Sequence, residues 1–246
     1  MDDSIILEGV NKIYGAKQVL KDVSFSVPRG AIYGLLGPSG CGKTTTVKIV
    51  AGISEATYGK AYVLNQTMPN LTLMNKIGYM AQSDALYGDL TAKENLEFFG
   101  SLYGLNRTFL SKRILEVMNL VNLTEEVNRK VALFSGGMKR RLSLAMTILH
   151  EPEILILDEP TVGIDPLLRK DIWEELYSMT KNGVTILVTT HVMDEAEKCT
   201  HLSMMRDGRL IASGTPIEIQ NSVGVSKLED AFLIYGKASR ENQDEG

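Results

Sequence analysis

The sequence predicts an α/β protein: a mostly parallel sheet flanked by helices, with an antiparallel β subdomain at the amino end and an α-helical subdomain inserted into the core. Three observations carry this. Short apolar runs at Ala31 to Leu36, Lys76 to Met80, Glu153 to Leu157 and Val184 to Thr189 are each bounded by turn or polar residues, the pattern of strands buried on both faces of a parallel sheet. Ser4 to Val10, Val23 to Val27 and Lys60 to Leu64 instead carry β-prone stretches separated by Gly, Asn and Pro, as antiparallel strands do. Between Thr91 and Leu123 the apolar spacing changes to that of a helix.

Taken in order, the antiparallel strands come first, and the run ending at Leu36 leads into a glycine-rich segment and a helix. Leu96, Phe98, Phe99 and Leu102 share one helical face, and Ile114, Leu115, Met118 and Val121 another. The stretch from Ser83 to Phe134 therefore reads as a helical insertion, and with the helix expected after Gly137 the subdomain covers about 83–150. A further helix is expected over Pro166 to Lys181, with Asp165 as N-cap, Pro166 at its first position and Gly183 just past its end. Thr215-Pro216 starts another, and Leu228 to Tyr235 is a second apolar helical stretch. One domain over residues 1–238 is expected, followed by a flexible polar tail from Ser239 to Gly246.

At 246 residues the chain is long enough to bury a full core. Its 26 basic and 30 acidic residues give a net charge of −4, which supplies no broad cationic surface for nucleic acid or anionic lipid. No apolar run approaches the roughly 20 residues that span a bilayer, and Met1-Asp2-Asp3 begins no secretory signal. A membrane role is thus expected only through a partner. Cys41 and Cys199 build no disulfide framework and suit a reducing cytosol. Lys139-Arg140-Arg141 reads as a solvated helix face, and His150 and His201 as structural residues.

Gly37-Pro38-Ser39-Gly40-Cys41-Gly42-Lys43-Thr44 fits G-x-x-x-x-G-K-[ST] between a predicted strand and a predicted helix. Glycines let backbone N–H groups curl around phosphate oxygens, and the helix amino end adds its positive dipole. Lys43 would neutralise the β- and γ-phosphates, the Thr44 hydroxyl would reach Mg²⁺, and Thr45 completes the nucleotide-binding set. The apolar run ending in Asp158-Glu159 delivers two carboxylates at the carboxyl end of a strand, where α/β sheets place ligands. Asp158 is expected to hold Mg²⁺ and Glu159 to polarise the water that attacks the γ-phosphate.

Phe134-Ser135-Gly136-Gly137-Met138, with Ser135 23 residues before Asp158, resembles the signature motif of ATP-binding cassette (ABC) ATPases, with Phe134 and Met138 in place of the usual leucine and glutamine. The resemblance implies that Ser135, Gly136 and Gly137 bind the γ-phosphate of an ATP held by a second copy. It implies that Gln82 senses Mg²⁺ and the attacking water, that His191 contacts the γ-phosphate and that Asp165, after Gly163-Ile164, lies in a loop crossing the dimer interface. Tyr14, 23 residues before Gly37, is similar to the aromatic residue that stacks on adenine.

Tyr79 to Leu105 resembles exporter-type systems whose ATPase and membrane subunits are separate chains. The function implied is an ATP- and Mg²⁺-dependent ATPase subunit that dimerises, as a homodimer or with a second ATPase subunit. It would drive export through transmembrane partners, peripheral on the cytoplasmic face of the membrane. Two rivals stand beside this reading. A soluble ABC ATPase acting on nucleic acid or ribosomes would co-purify with RNA or DNA. A P-loop kinase or GTPase would tolerate loss of Ser135.

Overall fold

The computed structural model describes residues 3–244, with side chains as far as residue 238. The elements run β1 (Asp3–Tyr14), β2 (Lys17–Pro28), β3 (Ile32–Leu36), α1 (Lys43–Val50), β4 (Tyr58–Val63), β5 (Gln66–Thr67), β6 (Ile77–Met80), α2 (Ala92–Leu102) and α3 (Arg107–Leu120). Then follow α4 (Gly136–Ile148), β7 (Ile154–Asp158), α5 (Pro166–Lys181), β8 (Thr185–Thr190), α6 (Met193–Ala196), β9 (His201–Arg206), β10 (Arg209–Gly214), α7 (Pro216–Ser222) and α8 (Leu228–Asp244). They gather into two compact units, one of Met1–Leu71 with Thr185–Gly246, the other of Thr72–Val184.

In the first unit β1 pairs antiparallel with β2, placing Ile5 opposite Val27 and Leu7 opposite Phe25, and with β4, placing Ile5 opposite Val63. Ile5, Leu7, Val23, Val27 and Val63 are all buried, so alternation along each strand sends one face inward. Both β1 and β2 extend well beyond the segments the sequence pattern marks. Strand β3 is buried throughout and pairs in parallel with β8 on one side and β9 on the other, which explains its unbroken apolar run. At Gly34 a Cβ would come within 2.8 Å of the Cys199 sulfur, so only glycine fits.

The β9–β10 hairpin and α6 are elements that the sequence pattern does not mark. Asp207 and Gly208 close the hairpin as a two-residue turn, both with positive φ. Helices α7 and α8 cover this region: Ile219, Leu228 and Ala231 pack with Leu36, Leu202 and Met204 in one apolar cluster. Burying each large aliphatic there contributes about 1.5–3 kcal/mol. Of the expected tail from Ser239 to Gly246, the backbone is described as far as Asp244, where it continues helix α8; residues 245–246 lie outside the described residues.

In the second unit β6 and β7 pair in parallel, with Ile77 opposite Ile154. Each of its α-helices begins on a polar cap. Thr91 and Glu94 form a capping box at α2, Asn106 caps α3, Ser135 caps α4, and Asp165 caps α5 with Pro166 just inside. These side chains satisfy N–H groups that have no partner within the helix, a contribution of about 1 kcal/mol each. The fully buried Asn95 accepts from the Tyr87 N–H and donates to the Tyr87 and Thr91 carbonyls, tying the loop ahead of α2 to that helix.

One sequence expectation is overturned here. Arg140 is 6% exposed rather than solvated, and Arg141 donates to the Val121 and Asn122 carbonyls. Helix α4 is buried on almost every side from Arg140 to Ile148, so charges on it must find partners within the fold.

Candidate nucleotide-binding and hydrolysis residues

The first unit holds the phosphate loop. Strand β3 ends at Leu36, and the Gly37 N–H continues toward the Thr190 carbonyl at 3.3 Å. A Cβ at Gly37 would lie 2.3 Å from the Met205 carbonyl oxygen, and Gly42 takes φ 114°, so glycine is required at both positions. Gly42 stands at the N-cap of α1 with no side chain closing the helix end. A helix amino end without a side-chain cap is a position that favours an anion. The buried Lys43 ammonium donates to the Gly37 carbonyl at 2.7 Å and to that of Pro38 at 3.1 Å, which holds the loop in its curl.

Pro38, Ser39 and Gly40 are exposed, and Thr44 and Thr45 are half-buried. Cys41 is buried, and burial pushes its thiol up against the pull of Lys43. His191 follows the last residue of β8 and is exposed. The turn that carries it is shaped by Thr190, whose hydroxyl bonds the buried Glu195 carboxylate at 2.6 Å and accepts from the Val192 N–H. Tyr14 ends β1 half-exposed, with the Lys12 ammonium 4.8 Å from its ring centre.

The second unit holds the remaining residues. Asp158 ends β7 fully buried, and Glu159 follows with a left-handed backbone, φ 53°. A non-glycine residue in that region costs about 1–3 kcal/mol and persists only where its surroundings hold it. Gln82 is exposed, two residues beyond β6. Ser135 accepts from the Met138 N–H at 3.2 Å, and both Ser135 and Gly136 are exposed at the amino end of α4. A Cβ on Gly137 would come within 3.1 Å of the Gly163 carbonyl, so the structure brings the glycine segment against the loop that ends at Asp165. The Asp165 carboxylate accepts from the Leu168 N–H at 3.0 Å.

Sequence reasoning missed Arg140. Its Nη1 donates to the Ala81 and Gln82 carbonyls at 2.7 and 3.1 Å, and its Nη2 donates to those of Asp158 and Glu159. Asp84 lies 3.5 Å away and also accepts from Ser143. Burial lowers the pKa of the guanidinium, while Asp84, Asp158 and Glu159 raise it. No local signal marked it: Ser143 and Thr147, three and seven residues on and buried with it, are polar, so the sequence does not set this face of α4 apart as inward.

Close by, a groove of about 240 Å³ is lined by Tyr79, Ala85, Phe99, Tyr103 and Met146 among others. The Tyr79 hydroxyl is pushed up to about 12, chiefly by burial and then by the nearby Asp158 charge. At the foot of α4 the His150 ring stacks on Tyr103, centroids 3.8 Å apart, and its Nε2 lies 3.2 Å from the Ile77 carbonyl.

A G-x-x-x-x-G-K-[ST] loop between a buried strand and a helix whose amino end no side chain caps suits phosphate; the class is a P-loop nucleotide-binding protein. The sequence pattern of the family described as ABC transporter matches residues 20–162. The chain is 40% identical over 238 residues to the linearmycin resistance ATP-binding protein LnrL of Bacillus subtilis, covering 92% of this chain and 76% of that one. It is 39% identical over 234 residues to the Nod factor export ATP-binding protein I of Ralstonia nicotianae, covering 94% and 72%.

Among solved structures it resembles the dimeric post-hydrolysis state of the ATP-binding cassette MJ0796 bound to ADP and Pi. That match has a TM-score of 0.81 and 27% identity over 86% of this chain and 98% of the other. The chain belongs to the ABC transporter family, as an ATP-binding and ATP-hydrolysing subunit.

Proposed function

We propose that this ATPase subunit powers export, working as a dimer with a second ATPase copy and seated on transmembrane partners at the cytoplasmic face of the membrane. Residues 1–238 act as one ATPase domain, with the helical segment of about 83–150 as its insertion. The observation that carries the reading is the exposed amino end of α4, where Ser135 and Gly136 present a phosphate-binding helix terminus on the surface of the second unit. In this reading that terminus faces the nucleotide of the other copy. Two relatives are named for resistance and for export. No helix among the described residues is long and apolar enough to cross a membrane.

The phosphate loop from Gly37 to Thr45 and the Lys43 ammonium take the phosphates, and Tyr14 stacks on adenine. The Thr44 hydroxyl, the Gln82 amide oxygen and the Asp158 carboxylate are hard oxygen donors, a set that suits Mg²⁺. When bound, that ion offsets charge building up on the phosphate oxygens. Glu159 takes a proton from water as the water oxygen bonds to the γ-phosphorus and the bond to ADP breaks, while His191 donates a hydrogen bond to the γ-phosphate.

Ser135, Gly136 and Gly137 supply N–H and hydroxyl donors to the second copy's γ-phosphate, and Asp165 lies at the dimer contact. The groove by Tyr79, Phe99 and Tyr103 receives a cytoplasmic helix of the membrane partner, beside the exposed Tyr87, whose ring lies 6.1 Å from that of Phe99.

Glu159→Gln keeps the backbone shape but removes the proton acceptor. It is expected to retain ATP-dependent dimers in size-exclusion chromatography while phosphate release falls ~10²-fold or more. Turnover at the wild-type rate would remove Glu159 from this role.

A further inference from the structure

Arg140 grips its four carbonyls in a particular pairing. The carbonyls of Ala81 and Gln82 belong to the two peptide planes on either side of the Gln82 Cα, and both accept from Nη1. Those of Asp158 and Glu159 belong to the planes on either side of the Glu159 Cα, and both accept from Nη2. Fixing the planes before and after a Cα fixes its φ and ψ, the only soft backbone torsions a residue has. One planar guanidinium thus sets the backbone torsions of two residues at once, and its rigid fork sets the distance between them.

At Glu159 the consequence is visible. Its backbone sits at φ 53°, a region unfavourable for glutamate unless something holds it. On the other side, Asp84 lies beside Nη1 and is itself held by Ser143, one turn further along α4.

We propose that Arg140 is a positioning residue for hydrolysis, aiming the Gln82 and Glu159 side chains together by clamping the peptide planes that flank each of them. The proposal rests on the role given to Glu159 above.

The test is Arg140→Lys, which keeps the charge but replaces the planar fork with a single ammonium. The expected result is a fall in kcat of about 10²-fold, the scale of a ~1 Å misplacement near reacting atoms. The KM for ATP should stay within about twofold, since Lys43 and its loop belong to the other unit; the Tm should fall, because buried carbonyls lose their donors, so kcat is read per folded molecule. Arg140→Ala should regain part of its kcat on addition of millimolar ethylguanidinium, which restores the planar fork without the tether. A merely structural arginine would lower the Tm as well but leave the kcat of the folded fraction intact.

Unchanged kcat in folded Arg140→Lys overturns the proposal. Should that variant not fold, Asp84→Asn takes its place, with a severalfold loss of kcat expected and unaltered kcat counting against the clamp. Glu159→Gln measured alongside separates the two ideas. If it abolishes turnover while Arg140→Lys does not, only the clamp fails; if it turns over normally, the role of Glu159 fails and the clamp with it.

Discussion

His150 shows how one residue ties a site's surroundings to solution conditions. Its ring is buried against Tyr103 with no hydrogen-bond partner at Nδ1, and its pKa is pushed down to about 4, chiefly by burial. A histidine lowered from 6.5 binds its proton in the unfolded chain before the folded one does. Stability is therefore fully present above about pH 6.5 and is lost as the pH falls toward 4, by roughly 3 kcal/mol at most. Urea unfolding at stepped pH should show this slope, and His150→Phe, which keeps the stacking, should flatten it. A slope unaltered by the substitution would assign the acid sensitivity to other groups. Arg140 carries a second lesson at this scale: in the sequence its two basic neighbours disguise it as solvated, because nothing local says which faces of α4 are covered.

At the scale of elements, the signature helix has two uses for one hydroxyl. Ser135 accepts from the Met138 N–H as N-cap, and in the proposed mechanism its hydroxyl donates to the second copy's phosphate. The two uses come apart on substitution. Ser135→Ala loses the cap and should lower stability by about 1 kcal/mol, whereas Ser135→Asp caps as well as serine. Both should lose most ATP turnover, the aspartate because a carboxylate repels phosphate. Activity preserved in Ser135→Asp would mean that capping is all this residue does.

Elements with strong local signals were readable in advance, such as α5 between Asp165 and Lys181, which runs as its cap and proline dictate. The β9–β10 hairpin was not, because Arg, Ser and Met mix along it without alternation. The Asp207-Gly208 turn was its one legible mark.

Over the whole molecule, the expected chemistry is shared between two compact units. The phosphate loop, Tyr14 and His191 belong to one; Gln82, the Ser135 segment, Asp158, Glu159 and Asp165 belong to the other. The α/β class, the phosphate loop and the carboxylate strand were legible because each rests on short-range pattern. The groove and the Arg140 contacts were not, since they depend on residues far apart in sequence.

Both cysteines lie in the first unit, 5% and 4% exposed at Cys41 and Cys199, and burial raises the pKa of both thiols. Only an exposed thiolate reacts readily with a disulfide reagent. Modification of the native chain should therefore wait on its opening, with ATP slowing it further at Cys41 than at Cys199. The fold in this way carries two ready-made chemical clocks, and timing their labelling across a urea series would read out how often that half of the protein breathes.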